Sequence, residues 1–110
     1  MTVEEWDKKY EEYVKPLFKH LDRPNGVLAN YFIECIRSLN HLKKEVTFEN
    51  LIEELKLKPV DLSLLDYPEY HFMFENAFNY YIEWESLSYE EKDKIKKARQ
   101  RRYITRVGQA

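Results

Sequence analysis

Residues 66–86 read DYPEYHFMFENAFNYYIEWES and hold 8 of the 17 aromatic side chains in a chain of 110 residues. At about 100° per residue, Tyr70, Met73, Phe74, Ala77, Phe78, Tyr80, Tyr81 and Trp84 fall on one broad side of a helix. Glu75, Asn76, Asn79 and Glu83 fall on the other. Pro68 sits in the first turn, where its missing N–H costs nothing, and Asp66 just ahead of it is the expected N-cap. Rings that each bury roughly 150–250 Å² cannot be covered by one neighbour. The stretch is therefore expected to be a central helix around which the others pack, its tyrosine hydroxyls reaching water or a polar partner at the margins. One residue breaks the pattern: Phe72 lies in the middle of the polar side, where a core ring has no place, and is a candidate contact for a partner.

Working outward, the composition supports an all-helical chain. It is 44% hydrophobic and 35% charged, with only 2 glycines and 4 prolines, which favours long helices over turn-rich sheets. A chain of this length forms one domain without a disulfide or metal staple. Thr2 and Glu5 make a capping-box pattern ahead of Val3, Trp6, Tyr10, Tyr13, Val14, Leu17, Phe18 and Leu21. Pro16 falls inside that series, so one bent helix or two nearly collinear ones are expected. Asp22 to Gly26 signals a turn, and Leu28, Tyr31, Phe32, Cys35, Ile36, Leu39 and Leu42 form a second stripe, giving a helical hairpin over residues 1–44. Ile33 points away from that stripe and is either packed by a later element or exposed for a partner.

Residues 45–87 form an acidic and aromatic helical region. Thr47 is the N-cap of a short helix with Phe48, Leu51, Ile52 and Leu55, and a break follows at Lys58 and Pro59. The rhythm imitates a helix-turn-helix unit, but the segment after Pro59 offers Asp61 and Asp66 where base-reading needs basic or amide side chains. Helix packing is the better account. Residues 88–110 are expected to form a basic C-terminal helix and tail, docked loosely or projecting, with Ser88 and Glu91 as its capping box and a frayed end from Gly108 to Ala110. Glu90 with Lys94 and Asp93 with Lys97 are oriented i, i+4 pairs on it. The fold class is thus a small single-domain bundle of four to five helices.

Charge is distributed unevenly along the chain. The net charge is -2, yet residues 45–93 carry 13 acidic and 3 basic side chains, and residues 94–110 carry 7 basic and no acidic ones. The basic tract, Lys94, Lys96, Lys97, Arg99, Arg101, Arg102 and Arg106 with Tyr103 among them, has three readings. It is a solvated or self-paired helix, a contact for a protein or a second copy, or a nucleic-acid arm whose cations follow phosphates.

Motifs for chemistry are missing. His20, His41, His71 and Cys35 lack the spacing of a zinc site, where ligands stand about three to five residues apart. There is no glycine-rich phosphate loop, and no local partner activates Cys35, which reads as buried and inert. A lone cysteine and the absence of a leader-like apolar run point to a reduced, cytoplasmic setting, and no apolar run is long enough to span a membrane. The expectation is a non-enzymatic accessory protein, without cofactor, metal or small-molecule substrate, whose composition suits a bacterium, phage or mobile element. It acts by protein binding or self-assembly through its acidic-aromatic surface and basic helix. Nucleic-acid binding by that helix is the first alternative, and acidic mimicry of nucleic acid toward a basic protein is the second.

Overall fold

Helices begin where the capping patterns stand. In the computed structural model, which describes residues 2–21 and 25–109, and side chains within 2–21 and 26–101, Thr2 Oγ1 accepts the Glu5 N–H at 3.2 Å and opens α1 (Val3–Lys9). A π-helical turn (Tyr10–Val14) follows, then α2 (Lys15–His20). The wide turn answers Pro16, which in a regular α-helix would lack its N–H and clash with the carbonyl four residues back. The Lys15 N–H instead donates to the Tyr10 carbonyl, and Pro16 falls in the first turn of α2, where no N–H is needed. One extra residue is spent, and the apolar series is corrected at one position: Val14, Leu17 and Phe18 stay buried while Tyr13, expected among them, turns toward solvent.

Of the turn expected from Asp22 to Gly26, residues 22–24 lie outside the described residues, and Asn25 and Gly26 already belong to the next helix. α3 (Asn25–His41) buries Leu28, Phe32, Cys35, Ile36 and Leu39. It ends in a Schellman motif: Lys44 N–H donates to the Leu39 carbonyl at 2.9 Å and Lys43 N–H to that of Asn40 at 3.2 Å. Lys43 takes the left-handed conformation that this requires, φ 56°, a place usually held by glycine. Leu42, expected in the buried stripe, is exposed because the chain leaves the helix there.

Thr47 Oγ1 accepts the Asn50 N–H at 3.2 Å and caps α4 (Phe48–Leu55), which buries Leu51, Ile52 and Leu55. The segment beyond Pro59 holds only a 3₁₀ turn (Ser63–Asp66), far short of a recognition helix. α5 (Pro68–Glu85) is capped by Tyr67, not by the expected Asp66, which belongs to the 3₁₀ turn. Proline confines the residue before it to extended backbone, which is what an N-cap needs, so Pro68 itself selects Tyr67.

Around α5 the aromatic side chains interlock. Trp6 meets Tyr80 and Trp84 edge-on at 5.2 and 5.5 Å between ring centroids. Phe32 stacks on Phe78 at 4.2 Å, Phe18 packs edge-on against Phe32 at 5.4 Å, and Phe48 closes on Phe78 from α4. The face read from sequence is the buried one, with Tyr70 and Met73 half-covered at its end.

α6 (Tyr89–Gln109) starts from a reciprocal capping box. Glu91 N–H donates to Ser88 Oγ at 3.2 Å, and Ser88 N–H reaches Glu91 Oε1 at 3.4 Å. The helix runs through Gly108, correcting the expected fray there; Ala110 lies outside the described residues. Nor is its first half loosely docked, because Ile95 is buried. With α1, the π turn and α2 taken as one bent helix, the described residues form a five-helix all-α bundle with no strand. No helix among them is long and apolar enough to cross a membrane.

Candidate interaction surface

Fixing the start of α5 at Pro68 fixes its phase, and that phase turns Phe72, Glu75, Asn76, Asn79 and Glu83 outward. Phe72 is 70% exposed, whereas Phe74, two residues on, is 0% exposed. Tyr67 is exposed one turn earlier, its ring edge-on to Tyr70 at 6.1 Å. Beside His71 lies a hollow of about 190 Å³ lined by Phe48, Ile52, Leu65 and the carboxylates Glu49 and Glu53. His71 Nε2 contacts the Leu65 carbonyl at 2.6 Å. A carbonyl only accepts, so this nitrogen carries the proton, and the bond pins the 3₁₀ turn to α5. Ile33 does not join this surface: it is half-buried and packed against the core, so its candidacy as an exposed contact is corrected.

Carboxylates rim the patch. Asp66, Glu69 and Glu75 are exposed, and among the described residues none makes an ion pair. The chain has no lysine or arginine from 59 to 91, so no cation of α5 or of its N-terminal approach neutralises them. The C-terminal carboxylates of the same helix are treated differently. Lys9 Nζ stands 2.7 Å from Glu83, Arg37 donates to both oxygens of Glu85 at 3.0 and 3.2 Å, and Lys92 approaches Glu85 at 3.5 Å. One end of α5 is thus neutralised by its own fold and the other presents charge to solvent.

The basic tract divides as well. Lys94, Lys96, Lys97 and Arg101 are exposed, and Lys97 pairs with Asp93 at 2.9 Å on its own helix. Arg99, expected with them at the surface, turns inward instead. Its Nε donates to Asp7 Oδ1 at 3.0 Å, and its guanidinium lies 5.8 Å from the Trp84 ring centroid. Burial alone pushes its pKa down, but hydrogen bonding with Tyr80 and the Asp7 carboxylate outweigh that and raise it. The clue to this docking was present as Lys92, Ile95 and Arg99, spaced i, i+3, i+7 on one face of α6. The side chains of Arg102, Tyr103 and Arg106 lie outside the described residues. Arg99 is thus paired with Asp7 and set against Tyr80 and Trp84 of α5, while Lys97 pairs with Asp93 on its own helix.

Two further hollows border these surfaces. A groove of about 670 Å³ between α1, the end of α5 and α6 has Trp6, Leu87, Ile95 and Ala98 along it and Glu83, Glu91 and Lys94 among its polar residues. A smaller one, about 210 Å³, brings Tyr13 beside Asn76 and Asn79. Tyr13 reaches this place through the π turn, which residue spacing did not disclose. Cys35 is buried, and its burial pushes the thiol up to about 11, so it is protonated near neutrality and is no nucleophile. Among the described residues no group of three or more histidine, cysteine or acidic side chains is placed to hold a metal ion. No protein-family model matches the chain, and comparison with curated proteins and with solved structures gives no match.

Proposed function

We propose that this chain is a non-enzymatic interaction protein that binds another protein through the acidic, aromatic N-terminal half of α5. The exposure of Phe72 is the observation that carries this. At 70% exposure it leaves roughly 100–175 Å² of ring in water, and covering it would contribute about 2.5–4 kcal/mol at ~25 cal/mol per Å². A central ring with a polar rim is how protein interfaces concentrate their binding energy. Asp66, Glu69 and Glu75 set the sign of the partner, which must bring cations to this rim.

The test compares wild type with Phe72→Ala as affinity bait at matched concentration, with thermal melts of both. Loss of a retained protein at nearly unchanged Tm is the expected result. Identical retention by both baits, or a Tm drop as large as a core ring would give, overturns the proposal. A second reading, nucleic-acid binding by α6, is favoured by the exposure of Lys94 and Lys96, which make no ion pair among the described residues. Anisotropy of labelled oligonucleotides decides it. Binding must weaken with salt at a log-log slope near -0.9 per neutralised phosphate on duplex DNA, and no binding at ~50 mM salt excludes it.

A further inference from the structure

We infer that the hollow beside His71 is an anchor pocket whose occupant is a basic amphipathic helix of another protein. One apolar side chain of that helix enters the hollow, and its lysines or arginines meet Glu49 and Glu75. This rests on the reading of the α5 surface as an interaction surface and names the partner it takes. The hollow lies between α4, the 3₁₀ turn and α5, with Phe48, Ile52 and Leu65 as its apolar lining. At about 190 Å³ it has room for one such side chain, since a cavity of roughly 150 Å³ accepts a benzene ring.

Its walls are held in place by the fold itself. Phe48 lies edge-on to the core ring of Phe78 at 6.4 Å between centroids, and 6.0 Å from the ring of His71. The His71–Leu65 hydrogen bond, 2.6 Å long, ties the 3₁₀ turn to α5 beside the hollow. A pocket formed in advance asks little reorganisation of what enters it.

Charge decides the occupant. No lysine or arginine lines the hollow, and its acidic lining residues are Glu49 and Glu53. Lys56 pairs with Glu53 at 2.8 Å, whereas Glu49 is exposed and makes no ion pair among the described residues. Glu75 is likewise exposed and makes none among them. It stands four residues on from His71 and three on from Phe72, one helical turn from each, and so links the hollow to the exposed ring. An apolar anchor flanked by cations complements this arrangement, and an acidic segment is repelled by it. The occupant is helical because the described residues form no strand whose edge an extended backbone could join, whereas a helix satisfies its own backbone groups. On such a helix an anchor and cations three or four residues to either side share one face.

The test selects random peptides of about 15 residues, long enough to begin forming a helix, by phage display on the full chain. Selected peptides are then titrated into the isotope-labelled full chain. The expected peptides carry a large apolar residue with lysine or arginine three or four positions away, and they shift the amides of Phe48, Ile52, Leu65, His71 and Glu75. Glu49→Lys with Glu75→Lys should weaken binding by about tenfold or more, the equivalent of ~1.4 kcal/mol. Leu65→Trp, which fills the hollow, should weaken it by a similar factor. The two glutamates are exposed, so their reversal keeps the test independent of how the fold tolerates the larger ring. Enrichment of acidic or uncharged peptides, no enrichment at all, shifts confined to other residues, or affinity indifferent to the reversal overturns the inference. Peptides that lose affinity with Phe72→Ala but ignore both Leu65→Trp and the reversal refute the anchor pocket and leave the proposed function standing, so the two fail separately.

Discussion

Replacing Phe72 and Phe74 by alanine, one at a time, puts the assignment of the α5 surface at risk. Both changes remove the same atoms, two residues apart on the same helix. Phe74 is 0% exposed, and its ring lies near that of Phe32, with centroids 6.4 Å apart. A fully buried Phe→Ala change costs about 3–5 kcal/mol, the lost transfer energy plus the cavity left behind. Phe72 is 70% exposed, so it removes only some 45–75 Å² of ring from water. At ~25 cal/mol per Å² that is roughly 1–2 kcal/mol as an upper bound, and alanine returns about 0.5 kcal/mol through its better helix propensity. A net loss of about 1 kcal/mol or less is expected. Urea titrations followed by circular dichroism should place the Phe74→Ala midpoint at least ~1 M below wild type, taking a slope of about 1–3 kcal/mol per M. At a mid-range slope of about 2 kcal/mol per M, the Phe72→Ala midpoint should fall within ~0.5 M of wild type. Equal losses would refute the phase of α5 and, with it, the interaction surface.

Lys43→Gly should stabilise the chain by about 0.5–1 kcal/mol, because glycine takes the left-handed φ of 56° without the steric cost a side chain pays there; a lowered urea midpoint would count against the Schellman end of α3. Ser88→Ala removes one half of the capping box that opens α6 and should cost about 1 kcal/mol, with hydrogen exchange accelerated first at the amides of Glu91 and Lys92. Arg99→Met keeps much of the apolar stem but leaves Asp7 without its Nε donor, and should loosen α6 while Cys35 stays protected from thiol reagents. Alkaline pH should destabilise the fold. The folded Cys35 thiol titrates near 11, whereas an unfolded one titrates near 8.5. The unfolded chain thus holds fewer protons between those values, and stability falls as pH rises through that window, by on the order of 3 kcal/mol in all. Burial also raises the Tyr81 hydroxyl above the ordinary tyrosine range, so it adds to the loss above about pH 10. Thermal melts of wild type and Cys35→Ala from pH 8 to 10.5 measure this, and identical pH profiles would contradict the cysteine share.

Much of the fold could be read from the chain because it depends on local rules. The T-x-x-E and S-x-x-E patterns open α1 and α6, Thr47 opens α4, and the aromatic spacing from Tyr70 to Trp84 marks the buried side of α5. The exposure of Phe72 also follows from that spacing. These features depend on residues within one or two turns of each other. Three others depend on neighbours that sequence does not order. The π turn before Pro16 decides that Tyr13 leaves the core, a matter of how the helix spends one extra residue. Ile33 is half-buried against the core although it lies off the apolar stripe of α3. The basic tract reads as one uniform run, yet Arg99 is drawn inward to Asp7 across most of the chain while Lys94 and Lys96 remain outside. Charge counting along the sequence established that acidic and basic regions exist and that they are unequal. Only the packing of α6 against α1 and Trp84 decided which cations turn inward and which stay outside, because a docked helix fixes which of its faces is left for something else.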